Sequence, residues 1–440
     1  MMMKRSISAV FGLLSGIIVT GQSLKQPLGV DEAVAAAVKA NHAVQQAGID
    51  QQLAETRYRQ SAAMYMPQVG ISFTAVSANN PLNAFGMKLQ QKMITQADFN
   101  PVLLNSPGAT PDFSTRFEVQ QPLINLDLYY QRKAAGAQAG MYQLIGKRTE
   151  EYVSWETRKA YLQLQMAHQA FAVLNEAHQT AQAVYQSASN YFKQGMIQQS
   201  DLLSVQVFVS DIEMKMTQVK AQIGNASDFL SLLMGKQPGI EYHTDSLQYI
   251  LESRKLTADS LPEKRADFMA MQKGLEAYDQ LIKSEKMRFL PRLNAFGQYQ
   301  LNDNRMLGFG AGAYLAAVQL SWELFKGNRT KEELHISQLE KQQLQNKLQQ
   351  EKDQSKLGIN QALRNAEEAA ASIRKYDVAI QQAAEALRIT RNRYAQGLAT
   401  TNDILMAQTR YSEQQLGRTQ AIFNHNMAML TLRFQTTVQP

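Results

Sequence analysis

Hydrophobic and polar positions alternate with period two in four stretches of this chain and recur with helical spacing through most of the rest. Val69, Ile71, Phe73 and Ala75 interleave with Gly70, Ser72 and Thr74, and Phe113, Thr115, Phe117 and Val119 interleave with Ser114, Arg116, Glu118 and Gln120. Further along, Leu293, Ala295, Gly297, Tyr299 and Leu301 alternate with Arg292, Asn294, Gln298 and Gln300, and a last strand pattern runs from about Gly312 to Trp322. Successive side chains of a strand point to opposite faces, so the spacing predicts strands over about 68–78, 113–123, 291–302 and 311–323, each with one apolar and one polar face.

The helical patterns are long. No proline interrupts residues 127–193 or 328–396, and at about 1.5 Å per residue each could form a helix of roughly 100 Å. Ala167, Phe171, Leu174, His178, Ala181, Tyr185, Ala188 and Phe192 make one stripe; Ala369, Ile373, Tyr376, Ile380, Ala383, Leu387, Thr390 and Tyr394 make another. Beyond Gly195, the positions Leu202, Val205, Val209, Ile212, Met216, Val219, Ile223, Ala226, Leu230 and Leu233 follow the 3-4 spacing of a coiled-coil seam.

The chain is written twice. Phe192-Lys-Gln-Gly195-Met-Ile-Gln-Gln-Ser-Asp201-Leu-Leu203 matches Tyr394-Ala-Gln-Gly397-Leu-Ala-Thr-Thr-Asn-Asp403-Ile-Leu405 at an offset of 202 residues, the separation of Gly195 from Gly397. Met66-Pro67-Gln68-Val69 likewise resembles Leu290-Pro291-Arg292-Leu293, and each opens an alternating stretch. The reading is therefore a first repeat over 22–234 with long helices to 193 and from 200, a connector over 235–262, and a second repeat over 263–440 with long helices to 396 and from 402. Each repeat runs helix, strand, strand, long helix, turn, long helix.

Four strands cannot close a barrel, yet three chains would supply twelve, and a sheet in hydrocarbon must close because open edges leave backbone polar groups unsatisfied. Alternation over about ten residues suits a tilted outer-membrane strand, apolar toward lipid and polar toward a watery lumen. No segment after residue 21 reads as a membrane-spanning helix; from Gly310 to Phe325, Gln319, Ser321 and Glu323 recur at every second residue, as in a strand. The fold class expected is mainly α with transmembrane β, internally duplicated, a trimeric 12-stranded β-barrel continued by a long α-helical coiled-coil barrel.

Composition narrows the function. Lys4 and Arg5, the apolar run Ile7 to Val19 and small residues around Gly21 have the layout of a secretory signal peptide over 1–21. There is no cysteine, which rules out disulfides, thiolate metal sites and cysteine nucleophiles. The net charge of +7 is spread among interspersed acids and bases, which does not favour nucleic-acid binding. Six scattered histidines include no H-x-x-x-H pair, His178 sits on an apolar stripe, and Gly308-Phe-Gly310-Ala-Gly312 leads into a strand instead of a helix. No catalytic constellation, metal site or cofactor site is expected.

Gly195 and Gly397 stand where a long helix must stop, and Asp201 and Asp403 open the following helices, where a carboxylate caps free N–H groups. Leu202, Leu203, Ile404 and Leu405 read as seam residues or, if exposed, as apolar knobs for partner helices.

These features together resemble the TolC-type outer-membrane efflux protein family, the outer-membrane factors of tripartite efflux or type I secretion systems, over essentially the whole mature chain. The residues that carry the resemblance are the duplicated plan, the segment Tyr394 to Gln408, and the strand-to-helix junctions Gln121-Pro122-Leu123 and Trp322-Glu323-Leu324-Phe325. The resemblance implies a homotrimer in the outer membrane of a Gram-negative cell, with its helical part in the periplasm, docking a periplasmic adaptor protein bound to an inner-membrane transporter. It implies adaptor-docking tips at Gly195, Asp201, Leu202, Leu203, Gly397, Asp403, Ile404 and Leu405, and a periplasmic gate at Tyr394 and Asp403. Segments 79–112 and 302–308 would be the extracellular loops. Family members often carry a basic residue two positions after the tip glycine; Ile197 and Ala399 stand there, so the resemblance does not extend to a lock built on that residue. The alternative is a periplasmic coiled-coil scaffold without a pore.

Overall fold

A computed structural model describes residues 24–250 and 262–436. The expected signal peptide and residues 251–261 of the expected connector lie outside them. In chain order the elements are β1 (Leu24–Pro27), α1 (Val30–Ala40), α2 (His42–Gln60), β2 (Gln68–Ala78), α3 (Pro81–Gln90), α4 (Pro101–Asn105), β3 (Thr110–Ile124), α5 (Leu126–Lys193), α6 (Gln199–Leu233), β4 (Ile240–His243), α7 (Ala266–Met287), β5 (Arg292–Asp303), β6 (Ala311–Ser321), α8 (Arg329–Ala395) and α9 (Thr401–Thr436). The protein is mostly helical. It forms two compact units, one built from residues up to 41, 156–252 and 365–427, the other from 42–155, 253–364 and 428–440.

The second of these units carries a four-stranded antiparallel sheet in the order β2-β3-β5-β6. Its ladder is regular except between Pro122 and Ile124, where the register shifts. Proline has no N–H to give the ladder, and just after it the pairing skips one residue, Pro122 facing Asn294 and Ile124 facing Leu293, shortly before α5 begins. At the opposite end of the strands the chain 79–109 is folded: Asn80 caps α3 by accepting from Asn83 N at 2.8 Å, and Pro81 occupies the first helical turn. Buried Gln91 then donates through Nε2 to Pro111 O and Asp112 Oδ1, both at 2.8 Å, while Asn302 Nδ2 donates to the other Asp112 oxygen at 2.8 Å. Lys88 pairs with Asp98 at 2.8 Å, and that bond is the main reason the Asp98 carboxyl falls to about 2.

In the same unit, Arg265 is almost wholly buried ahead of α7. Its guanidinium forks onto Asp267 at 2.7 and 2.8 Å, reaches Gln435 Oε1 at 2.6 Å and Ser355 Oγ at 2.8 Å, and lies 4.0 Å over the Phe268 ring. Arg148 of α5 covers the Phe434 ring at 3.8 Å and pairs with Glu151 at 2.8 Å. The last turn of α9 is thus tied to α5, α7 and α8 by two guanidiniums, each charge satisfied by hydrogen bonds as burial requires.

In the other unit, β1 and β4 pair in parallel, a short sheet with no counterpart among the expected elements. Tyr242 at its centre is fully buried; its N–H donates to Ser227 Oγ at 3.2 Å and its hydroxyl accepts from Ser231 Oγ at 3.1 Å, both serines lying on α6. Tyr161 of α5 donates to Asp245 at 2.5 Å, and burial together with that carboxylate pushes its hydroxyl well above the usual tyrosine range, so it stays a donor. On the helices Ala167, Leu174, Ala181 and Ala188 of α5 are buried at seven-residue intervals, and Val205, Ile212, Ile223 and Leu230 of α6 at steps of seven, eleven and seven, on one packed stripe.

Replacing Arg265 by leucine is expected to lower stability by about 3–5 kcal/mol, because Asp267 loses its buried partner. Arg265→Lys should recover only part, since an ammonium cannot reproduce the planar fork. Denaturant midpoints followed by circular dichroism check both.

Candidate channel wall and helical tips

The register of the sheet decides what each face presents. Across the four strands Val69, Val119, Gly297 and Ala316 stand in one row, and Ile71, Phe117, Tyr299 and Tyr314 in the next of the same parity. With Phe73, Phe113, Leu301, Val318 and Leu320 they form an apolar face that stands largely bare among the described residues: Val69 is 73% exposed and Tyr314 83%. The other face holds Ser72, Thr74, Arg116, Glu118, Gln298 and Gln300; Arg116 donates to Gln300 Oε1 at 3.2 Å and lies 3.4 Å from Glu118. Opposite charges sit side by side there, so the polar face has little net charge of its own. The outer edges of β2 and β6 have no strand partner among the described residues.

The tips lie in the other unit. Each long helix ends in a glycine with left-handed backbone, Gly195 at φ 74° and Gly397 at φ 72°, a region that any side chain with a Cβ enters at a cost. Met196 N bonds back to Tyr191 O and Gly195 N to Phe192 O, each at 2.9 Å; Leu398 N bonds to Arg393 O at 2.8 Å and Gly397 N to Tyr394 O at 3.0 Å. This paired bonding satisfies the last carbonyls of the helix and reverses the chain. The next helix starts on a reciprocal cap. Asp403 Oδ2 accepts from Thr400 N at 2.8 Å and Thr400 Oγ1 at 2.7 Å, while Asp403 N donates to Thr400 Oγ1 at 3.2 Å. Asp201 accepts from Gln198 N at 3.2 Å in the equivalent place. The Thr400 bonds hold the Asp403 carboxyl below its ordinary range, with Arg393 adding to the effect.

The site residues read from the sequence separate by exposure. Ile404, Leu405 and Tyr394 are buried in one cluster with Val184, Ala188 and Val205, and Leu202 packs against its flank. Leu203 is half exposed and points away from that cluster, as a free knob must. Tyr394 stacks edge-on against Tyr191 at 5.9 Å, and burial raises its hydroxyl pKa, so it is a neutral packing residue in this chain. His178 is half-buried with Nε2 3.1 Å from Glu213. Sequence reasoning missed Thr400, whose T-x-x-D spacing spells the capping partner, and Arg393 and Arg410, which share a groove with Asp403. No group of metal-ligating side chains occurs among the described residues.

One unit thus carries an apolar sheet face backed by a polar one, and the other carries two capped helical hairpins. Residues 258–432 match the family model described as outer membrane efflux protein. The Campylobacter jejuni CmeC outer membrane channel superposes with a TM-score of 0.78 at 15% identity, covering 92% of this chain and 85% of that one. The outer membrane protein VceC from Vibrio cholerae superposes at 0.76 with 17% identity, covering 92% and 95%, and the open-state MtrE outer membrane channel of Neisseria gonorrhoeae at 0.76 with 13% identity, covering 93% and 91%. No curated protein matches by sequence. The chain carries the signature of the outer membrane efflux protein family in its second half and the fold of outer-membrane channels over nearly its whole described length, as its resemblance to the TolC-type proteins led us to expect.

Thr400→Val should remove both side-chain hydrogen bonds of the second cap and cost about 1 kcal/mol locally. A carboxyl with a depressed folded pKa stabilises fully above the ordinary carboxylate range and loses that contribution as pH falls through the depressed value. Amide hydrogen exchange at residues 401–404 should therefore quicken in Thr400→Val at neutral pH, and in the parent protein only under strong acid.

Proposed function

We propose that three copies of this chain form a passive exit duct in the outer membrane of a Gram-negative cell. In this reading β6 of each copy pairs with β2 of the next, giving a closed twelve-stranded barrel from two repeats per chain, and the long helices continue the duct into the periplasm. One observation carries the reading: the sheet ends in two unpaired edges while its apolar face is left bare, and a closed barrel in lipid removes both costs together. Lipid would meet Val69, Ile71, Phe117, Tyr314 and Val318, and the lumen would meet Ser72, Arg116, Glu118 and Gln300. Exposed Trp322, whose Nε1 donates to Phe289 O at 2.9 Å, suits the aromatic girdle at a membrane–water boundary.

The partners follow from the same reading: a periplasmic adaptor protein docked at the tips around Gly195, Asp201, Leu203, Gly397 and Asp403, and an inner-membrane transporter that supplies the energy of a tripartite efflux or type I secretion complex. The tips are the gate. Opening exchanges contacts between copies for contacts with the adaptor, a population shift driven by differential binding.

The purified chain should need detergent for extraction, size as a trimer, and conduct ions in planar bilayers; a monomer that fractionates with soluble periplasmic protein would overturn the proposal in favour of a scaffold. Within the barrel, Phe73→Lys should cost about 2–4 kcal/mol by placing an ammonium in lipid, whereas Ser72→Lys, one residue away on the opposite face, should be tolerated. Heat-modifiable gel mobility distinguishes the two.

A further inference from the structure

The end of the sheet farthest from the long helices is covered on its polar face. Thr110, Asp112, Ser114 and Asn302 all have the parity of that face, and all are buried. The segment between β2 and β3 reaches them there: Gln91, just past α3, donates through Nε2 to Asp112 Oδ1 at 2.8 Å, and Asn302 Nδ2 holds the other Asp112 oxygen at 2.8 Å. The foot of α3 therefore rests on the side of the sheet that would look into the lumen, at the end that would be the outer mouth.

α3 itself has two sides. Ala84 is buried, with Met87 and Lys88 half-buried beside it and Gln91 following on the same side. At about 100° per residue, Leu82 and Leu89 fall roughly opposite Ala84; the first is 84% exposed and the second 59%. Gly86 lies between them, and a Cβ added there would meet nothing within 4 Å. A helix that lays one side against a lumenal wall turns its other side to the axis, and here that side is a bare leucine stripe. The one charge in α3 is Lys88, and Asp98 pairs with it at 2.8 Å. Three such helices around a threefold axis would thus bring no uncompensated like charges together.

The room available is small. Twelve strands about 4.8 Å apart and tilted by about 40° enclose a circle roughly 24 Å across between backbones. Even end-on, the smallest footprint a helix has, three helices of about 10–12 Å diameter in mutual contact fill a circle of roughly 22–26 Å. One α3 from each copy on the inner side of the mouth leaves no open bore between them.

We infer that three copies of α3 meet at the axis of the duct through Leu82 and Leu89 and form an apolar plug across its outer mouth. The inference rests on the trimeric duct proposed above. It gives the conduit a second constriction at the end opposite the tips, where leucines exclude water and ions by dewetting until cargo parts the helices. The bonds among Gln91, Asp112 and Asn302 are the fixed root of each helix.

The chain has no cysteine, so introduced thiols report without background. The full chain bearing Leu89→Cys is purified in detergent, sized, and treated with copper–phenanthroline. The expected result is a covalent dimer with the third copy left single, because three thiols at one axis can close only one disulfide. Ser72→Cys, on the lumenal face of the wall, should give no link, since the barrel holds its copies well beyond the roughly 7 Å Cα separation a disulfide tolerates. In intact cells Ser72→Cys should react slowly with a polymer-linked maleimide added outside, and Leu82→Asp with Leu89→Asp should speed that labelling about tenfold or more by wetting the plug. If the aspartates prevent assembly, Leu82→Ala with Leu89→Ala takes their place and should speed labelling in the same direction. A trimer by sizing that gives no Leu89→Cys link, or labelling of Ser72→Cys that is unchanged by opening the leucines, would overturn the plug while leaving the duct intact. A chain that sizes as a monomer would overturn both.

Discussion

Backbone hydrogen bonding at the sheet edges is the constraint from which the rest follows. Among the described residues β2 and β6 each leave one row of N–H and C=O groups without a strand, and most of the sheet's apolar side chains are exposed. In water either defect invites aggregation; in hydrocarbon an open edge costs several kcal/mol per unsatisfied group. In the proposed trimer, closure between copies removes both defects together. The regular ladder, with its register shift at Pro122, and the low net charge of the polar face suit that proposed closure, in which the polar face would line a wet interior.

The helical tips solve a different problem with similar economy. A helix of 68 residues cannot be stopped by a weak signal, and here it is stopped by a left-handed glycine, paired return bonds and a carboxylate cap on the next helix. Those local devices fix the turn without calling on the side chains beyond it. Ile404, Leu405 and Tyr394 of the second hairpin are buried in a cluster shared with the first, whereas Leu203, Val207 and Met214 on α6 of the first hairpin face outward.

Much of this was legible in the sequence, for physical reasons. Period-two alternation over ten residues has few structural meanings, so the strands around Ile71, Phe117, Tyr299 and Val318 could be placed closely, and glycine before a cap-forming aspartate marks a helix reversal wherever it occurs. The β1–β4 pair could not be seen, because four residues are too few to show a period. Nor could the folding of residues 79–109, whose order depends on Gln91 reaching Asp112, a nonlocal bond with no sequence spacing of its own. Arg265 and Arg410 looked like ordinary charges; burial distinguishes the first and an unbalanced groove the second, and both are properties of packing. The equal treatment of Leu203 and Ile404 in the sequence failed to separate them for the same reason, since helical periodicity gives a face but not its neighbour.

The anchorage of Gln91 carries a consequence for evolution. With its amide held by Pro111 and Asp112, and Asp112 held in turn by Asn302, the segment ahead of β3 is moored to the strand ends at its base and free at its crown, where Val102 and Leu103 are bare. Substitutions at the crown can accumulate without disturbing the strands below. In the proposed assembly the outermost surface, the part that antibodies and phages meet first, can thus change its identity from strain to strain while the conduit beneath it keeps its bore.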